Sequence, residues 1–378
     1  MAIVTTSLFK RLLIFFVLLM AFGLTACFSS SSSSGSSSGS GGGTDSAGGS
    51  GDGGVSNGGG NTNGDNSGVD GGGSDSGGSD DGGDIEQTER LMVTNRCTYA
   101  IWIQQQHMPG EGVVKMLPGE SRQWTIPEEG LAATRLWPKK GCDDNGNNCL
   151  IGQSSPACPG DGGDPAPYNI GCAPPVDSKF EATWACTLSP TSDCAINPSA
   201  PVDDPTQRLS HETYWNMSAV DGYTFPFTAT ITDNTNSSDI CSPTDCSALS
   251  MDQCPTHEDL SVGLGDAVTS AYADMSLILQ NGGQIAGCYS PCTLMTYPAY
   301  GGLGLSNSSD EAVRYCCPTP PQSPAQCSSG PVETTDYVTQ VRSMCHNTVY
   351  TYAYDDSDGL RQCSAETKVH IVFGPNCP

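Results

Sequence analysis

Eighteen of the nineteen cysteines lie between Cys97 and Cys377, and they constrain this chain more than any apolar pattern does. Nine of them fall between Cys241 and Cys345, on loops rich in Pro, Gly, Ser and Asp, with no apolar run long enough for a large independent core. A stretch with so little to bury depends on covalent ties. The adjacent Cys316 and Cys317 are predicted to bond separate loops, because a disulfide needs Cα atoms several ångström apart on facing residues.

The N-terminus supports an oxidising destination. Lys10-Arg11 precede the apolar run Leu12–Leu24, which is short for a bilayer span and reads as a secretory signal peptide over 1–26. It ends in Leu24-Thr25-Ala26-Cys27, which resembles the lipobox of bacterial lipoproteins. That likeness implies cleavage before Cys27, lipidation of its thiol, and a membrane-anchored place at the outer membrane or cell surface. Residues 27–87 are Ser, Gly, Asn and Asp with almost nothing apolar, so they read as a disordered tether. A Gly-rich coil of that length reaches roughly 40 Å. An even set of cysteines in an exported chain then reads as a framework of up to nine bridges. Zinc held by Cys241-x4-Cys246 or Cys288-x3-Cys292 is the competing reading, disfavoured outside the cytosol.

The predicted folded domain runs from 88 to 378. Without the first 87 residues the chain keeps 32 acidic against 13 basic residues, a charge near −19. Such a field argues against nucleic acid and anionic lipid surfaces as partners and leaves neutral or cationic ligands open.

Short β-rich segments fill the first half of the domain. Arg90–Gln104 gives two runs around a polar Thr94-Asn95-Arg96 interruption. After the turn Pro118-Gly119-Glu120 comes the alternating Ser121–Ile126, then a turn at Pro127–Gly130 and a strand at Ala133–Trp137. Ser178–Trp184 alternates, with Lys179, Glu181 and Thr183 on one face; further strands follow at Tyr214–Ser218 and Tyr223–Ile231. Cys186 and Cys194 bracket a local loop, Asn281-Gly282 reads as a hairpin turn, and Thr335–Met344 reads as an amphipathic helix with Tyr337, Val338 and Val341 inward. Short strands with turns between them indicate a mainly β antiparallel sandwich or barrel.

In order along the chain, Asn95-Arg-Cys-Thr-Tyr-Ala-Ile-Trp102, Arg135-Leu-Trp137, Ser218-Ala-Val-Asp-Gly-Tyr223, Gln253-Cys-Pro255, Gly287-Cys-Tyr-Ser-Pro-Cys292, Tyr315-Cys-Cys317 and Tyr350–Asp356 resemble the thaumatin-like proteins. The resemblance covers essentially all of 90–378 and implies a flattened antiparallel β-sandwich with a disulfide-rich loop and short-helix lobe. It also implies the bridges Cys97–Cys377, Cys142–Cys149, Cys158–Cys172, Cys241–Cys363, Cys246–Cys345, Cys254–Cys288, Cys292–Cys316 and Cys317–Cys327. Cys186–Cys194 has no counterpart there and would be the ninth. The chain departs from the family between Cys149 and Cys172, and in insertions at about 258–276 and 296–311. The first of these carries Ala267, Val268, Ala271, Tyr272 and Met275 at helical spacing.

Many thaumatin-like proteins have an acidic cleft lined by one Arg, one Glu and three Asp. The resemblance places these at Arg135, Glu181, Asn216 (an amide here), Asp221 and one of Asp355-Asp356, with Asp355 favoured. Such a cleft implies a carbohydrate-binding groove for the polysaccharide β-1,3-glucan. Alternatively Glu181 and Asp221 act as acid and base of a weak endo-β-1,3-glucanase, or the domain is a non-catalytic protein binder, an inhibitor or adhesin. Losing a carboxylate at Asn216 counts more against hydrolysis than against binding. The histidines form no zinc motif, no nucleophile elbow is present, and no pattern calls for a metal or cofactor.

Overall fold

The structure is a computed structural model that describes residues 86–110, 112–153, 176–189, 193–197, 207–235, 240–265, 270–298 and 301–378. The leader, Cys27, nearly all of the tether, Cys158–Cys172, and Ala267 and Val268 of the first insertion lie outside the described residues. Among the described residues no helix is long and apolar enough to cross a membrane.

Fourteen strands form three sheets among the described residues. One six-stranded sheet runs β13-β7-β6-β5-β2-β3, built from Arg361–Ser364 (β13), Glu212–Ser218 (β7), Lys179–Trp184 (β6), Leu131–Lys139 (β5), Ile101–Gln106 (β2) and Val113–Met116 (β3). A five-stranded sheet runs β10-β9-β14-β1-β4, from Thr244–Cys246 (β10), Phe227–Thr232 (β9), Lys368–Phe373 (β14), Leu91–Asn95 (β1) and Ser121–Trp124 (β4). The third holds Ile278–Asn281 (β11), Gln284–Tyr289 (β12) and Gly222–Tyr223 (β8).

Alternation explains how the two large sheets meet. Leu136, Phe180, Ala182, Trp215 and Met217 of the six-stranded sheet share one buried cluster with Leu91, Val93, Phe227, Val369, Ile371 and Phe373 of the five-stranded one. Side chains at every second strand position face the partner layer, which makes a mainly β sandwich. One pairing departs from the antiparallel expectation: β1 runs parallel to β14, from Leu91↔Val369 to Asn95↔Phe373. This joins the first and last strands of the domain, and the Cys97–Cys377 bridge closes the same junction.

The polar interruption predicted at Thr94-Asn95-Arg96 falls later. Thr94 and Asn95 stay in β1, because the Asn95 amide donates to Tyr99 O and Met116 O, each at 3.0 Å, and its Oδ1 accepts from Cys97 N. The side chain supplies a corner that composition alone reads as a break. Two hydrogen bonds tie the residues just before β1 to the sheet: Gln87 donates to Val369 O, and Glu86 O accepts from Gln123.

Among the described residues eight disulfides join Cys97–Cys377, Cys142–Cys149, Cys186–Cys194, Cys241–Cys363, Cys246–Cys345, Cys254–Cys288, Cys292–Cys316 and Cys317–Cys327. So many bridges fit an extracellular or secreted protein. The Cys241–Cys345 lobe is less empty than its sequence suggests. Leu260, Leu277, Leu294, Met295, Tyr315, Tyr337 and Val341 are all buried and continuous with the sandwich core. Leu260 and Leu277 come singly from loops and the others in ones and twos from short helices, so no long apolar run announces them. The hairpin turns at Gly282 and Gly283, both at positive φ, and the helix Asp336–Cys345 buries Tyr337, Val338 and Val341.

Candidate functional site

The site is assembled by strand register. Gln106 pairs with Arg135, Arg135 with Glu181, and Glu181 with Asn216, so a single row crosses β2, β5, β6 and β7. Directly opposed residues project on the same side of a sheet. Their neighbours Leu136, Phe180 and Met217 point to the core, which leaves this row on the other face.

Arg135 Nε lies 2.9 Å from Glu181 Oε1, with both side chains 12% exposed. The alignment is that of an ion pair, not of a linear hydrogen bond. Asn216 is buried next to Glu181, and its Oδ1 has no hydrogen-bond partner among the described residues. An unsatisfied buried acceptor costs free energy until a donor reaches it.

Asp221 stands where β7 turns into β8. Gly222 follows at φ +123°, and a Cβ there would sit 2.2 Å from Cys288 O, so only glycine fits the turn. The Asp221 side chain is 42% exposed and its Oδ2 accepts from Lys179 Nζ at 2.6 Å. Lys179 is itself buried and lies 3.6 Å from Asp177 Oδ1. Ser178 fixes this segment, since its hydroxyl donates to Phe225 O and accepts from Thr224 N and Phe225 N. Burial works against the Lys179 charge, but Asp177, Asp221 and Glu181 outweigh it and raise the ammonium's pKa. His107 follows Gln106 just past the end of β2; burial and then Arg135 push its pKa down.

Asp355 requires a correction. It is buried away from solvent: its Oδ2 accepts from Thr351 N at 3.2 Å and Thr351 Oγ1 at 2.6 Å, and its Oδ1 pairs with Arg342 Nη2 at 2.9 Å. Arg342 also meets Glu333 and Asp358, which makes this a structural knot between the helix Asp336–Cys345 and the loop after it. Its neighbour Asp356 is half-buried and accepts from the Tyr350 hydroxyl. Tyr350 pairs alongside β7 at Ser218, and Glu181 is among the charges that raise its pKa behind burial and Asp356.

The structure thus brings Arg135, Glu181 and Asn216 into one row and joins Asp221 to that face through Lys179. Asp177 and Lys179 were missed as site residues in the sequence, although the alternation of β6 already put Lys179 beside Glu181.

A disulfide-braced β-sandwich carrying an ion-paired polar row on one sheet face defines the class of protein. The model of the thaumatin family matches residues 182–375, about half of the chain, and the chain belongs to that family. Thaumatin-like protein 1b of Malus domestica is 24% identical over 208 residues, which is 54% of this chain and 78% of that protein. Among solved structures, the thaumatin-like xylanase inhibitor TLXI overlays with a TM-score of 0.26 and 13% identity, over 75% of this chain and 99% of that one. The protein elicitor MoHrip2 from Magnaporthe oryzae gives 0.19 and 10%, over 41% and 78%. Overlays at those scores add nothing to the assignment.

Proposed function

We propose that this chain is a surface-tethered lipoprotein whose thaumatin-like domain binds polysaccharide, with β-1,3-glucan as the ligand class. The observation that supports binding over hydrolysis is the pairing of both nominated carboxylates. Glu181 Oε1 is held by Arg135 and Asp221 Oδ2 by Lys179. An acid/base pair must pass a proton to and from the glycosidic oxygen and water, so it needs carboxyl oxygens free to face them. A row of fixed charges and amides beside an unpartnered Asn216 acceptor instead suits hydrogen bonds from sugar hydroxyls.

The test is calorimetric titration of the full chain with laminarin, together with reducing-end release. Glu181→Gln and Asp221→Asn are each expected to weaken binding about tenfold, one charge-assisted hydrogen bond in an open groove. Asn216→Asp is expected not to strengthen it, and no turnover is expected. Glucan cleavage that disappears in Glu181→Gln would reverse the reading in favour of the enzyme. Unchanged affinity in the folded double variant would remove this face from the account.

The anchor is tested separately through Cys27. Cys27→Ser is expected to shift the protein out of the membrane fraction or to leave it unprocessed. Wild-type protein that is mature, unlipidated and wholly soluble would contradict the anchor.

A further inference from the structure

Three groups form a line from the interior to the surface: Asp177 at 1% exposure, the buried Lys179, and Asp221 at 42%. Neither carboxylate oxygen of Asp177 has a hydrogen-bond partner among the described residues, and its one close charge is Lys179 at 3.6 Å. A buried carboxylate without hydrogen bonds is costly, and a merely structural ion pair would satisfy its remaining oxygens. Lys179 is shared, and the shorter contact goes to the exposed partner.

We propose that Asp177 is a positioning residue for Asp221: its proton decides, through the shared Lys179 ammonium, how strongly Asp221 accepts hydrogen bonds from a ligand in the groove. The inference rests on the groove reading given above and deepens it into a mode of regulation. With Asp177 ionised, the ammonium divides between two carboxylates, the three groups carry a net −1, and Asp221 is the stronger acceptor. With Asp177 protonated, the ammonium belongs to Asp221 alone, the three groups are neutral, and the acceptor is quenched.

The groups around Asp177 set the window. Burial raises its pKa, Lys179 opposes this, Asp221 and Glu181 raise it further and Arg135 opposes again, which leaves it at about 7. From the helix Asp336–Cys345, Tyr337 also faces this cluster, and its hydroxyl donates to Ala219 O. Since a carboxyl with a raised folded-state pKa binds its proton more tightly in the native state, the stability it contributes is present at acid pH. It is lost as pH rises through about 7. Ligand affinity is predicted to move the opposite way and rise over the same interval.

Two measurements on the full chain test this. Laminarin affinity is expected to rise about fivefold from pH 5.5 to 8.5 in the wild type, the scale of one modest hydrogen bond. In Asp177→Asn, close in shape and permanently neutral, it is expected to be flat at the wild-type acid value. Without ligand, in protein labelled with carboxyl-¹³C aspartate, the Asp221 resonance is expected to show a second inflection near neutral pH. That inflection should be absent in Asp177→Asn and in Lys179→Gln. An Asp221 inflection that survives Asp177→Asn, or an Asp177 carboxyl that titrates with the ordinary surface aspartates, overturns the proposal. If laminarin fails to bind at every pH, the glucan reading falls, while the ligand-free titration still decides the coupling. A coupled titration with affinity that is flat in pH overturns the regulatory role.

Discussion

Replacing Cys97 and Cys377 together by serine is expected to lower stability by about 5 kcal/mol, more than the loss of any other single bridge among the described residues. The pair spans 280 residues, against 122 for Cys241–Cys363, 99 for Cys246–Cys345 and 7 for Cys142–Cys149. A cross-link acts chiefly on the unfolded chain, by removing the entropy of a loop that grows with the logarithm of its length. On that scale the smallest loop is worth only about 2–3 kcal/mol. The native state needs the bridge less than the unfolded chain feels it, because β1 and β14 already hold the two ends in register over five residue pairs. The double serine variant should therefore still fold. Its unfolding midpoint is expected to drop by about 10–20 °C, given the entropy of unfolding of a domain of this size. Denaturant titration under oxidising conditions checks the order. An equal loss from Cys142→Ser/Cys149→Ser would show that strain or residual structure, not loop entropy, sets the contributions.

What could be read in the sequence follows the range of the interaction. Alternation within β6 placed Lys179 and Glu181 on one face and Phe180 and Trp184 on the other, because the period of a strand is local. The bridges and the row Arg135, Glu181, Asn216 came from resemblance, and the register of three strands supplies the geometry behind that row. The core of the cysteine-rich lobe was invisible, since Leu260, Leu294 and Tyr315 meet only after the bridges have folded separate loops together. Asp355 was misplaced for a related reason. Two adjacent aspartates look alike in sequence, and only the approach of Arg342 from the helix Asp336–Cys345 turns one inward. Asp177 gave no signal, because its meaning depends on a lysine two residues on and an aspartate across a turn.

The row also makes an expected result in stability that bears on chemistry. Glu181→Leu is expected to cost about 3 kcal/mol, because it leaves the Arg135 guanidinium largely covered and without its carboxylate. Arg135→Met/Glu181→Leu, which removes both charges, is expected to recover most of that, to within about 1 kcal/mol of the wild type, since apolar replacements of similar volume often match a covered ion pair. The full cycle also includes Arg135→Met, which strands the Glu181 carboxylate in its turn, so the coupling free energy, each species unfolded in urea, is at least about 2 kcal/mol. The 12% exposure of both side chains supports a value well above the few tenths usual for exposed pairs. Its size also bears on function. A carboxylate so strongly committed to its guanidinium is poorly placed to take up and release a proton each turnover, whereas it can accept a sugar hydroxyl with its second oxygen while the pair stays intact. A coupling near zero would mean that solvent screens the pair. Glu181 would then be free to act as an acid or base, and the hydrolytic alternative would regain its footing.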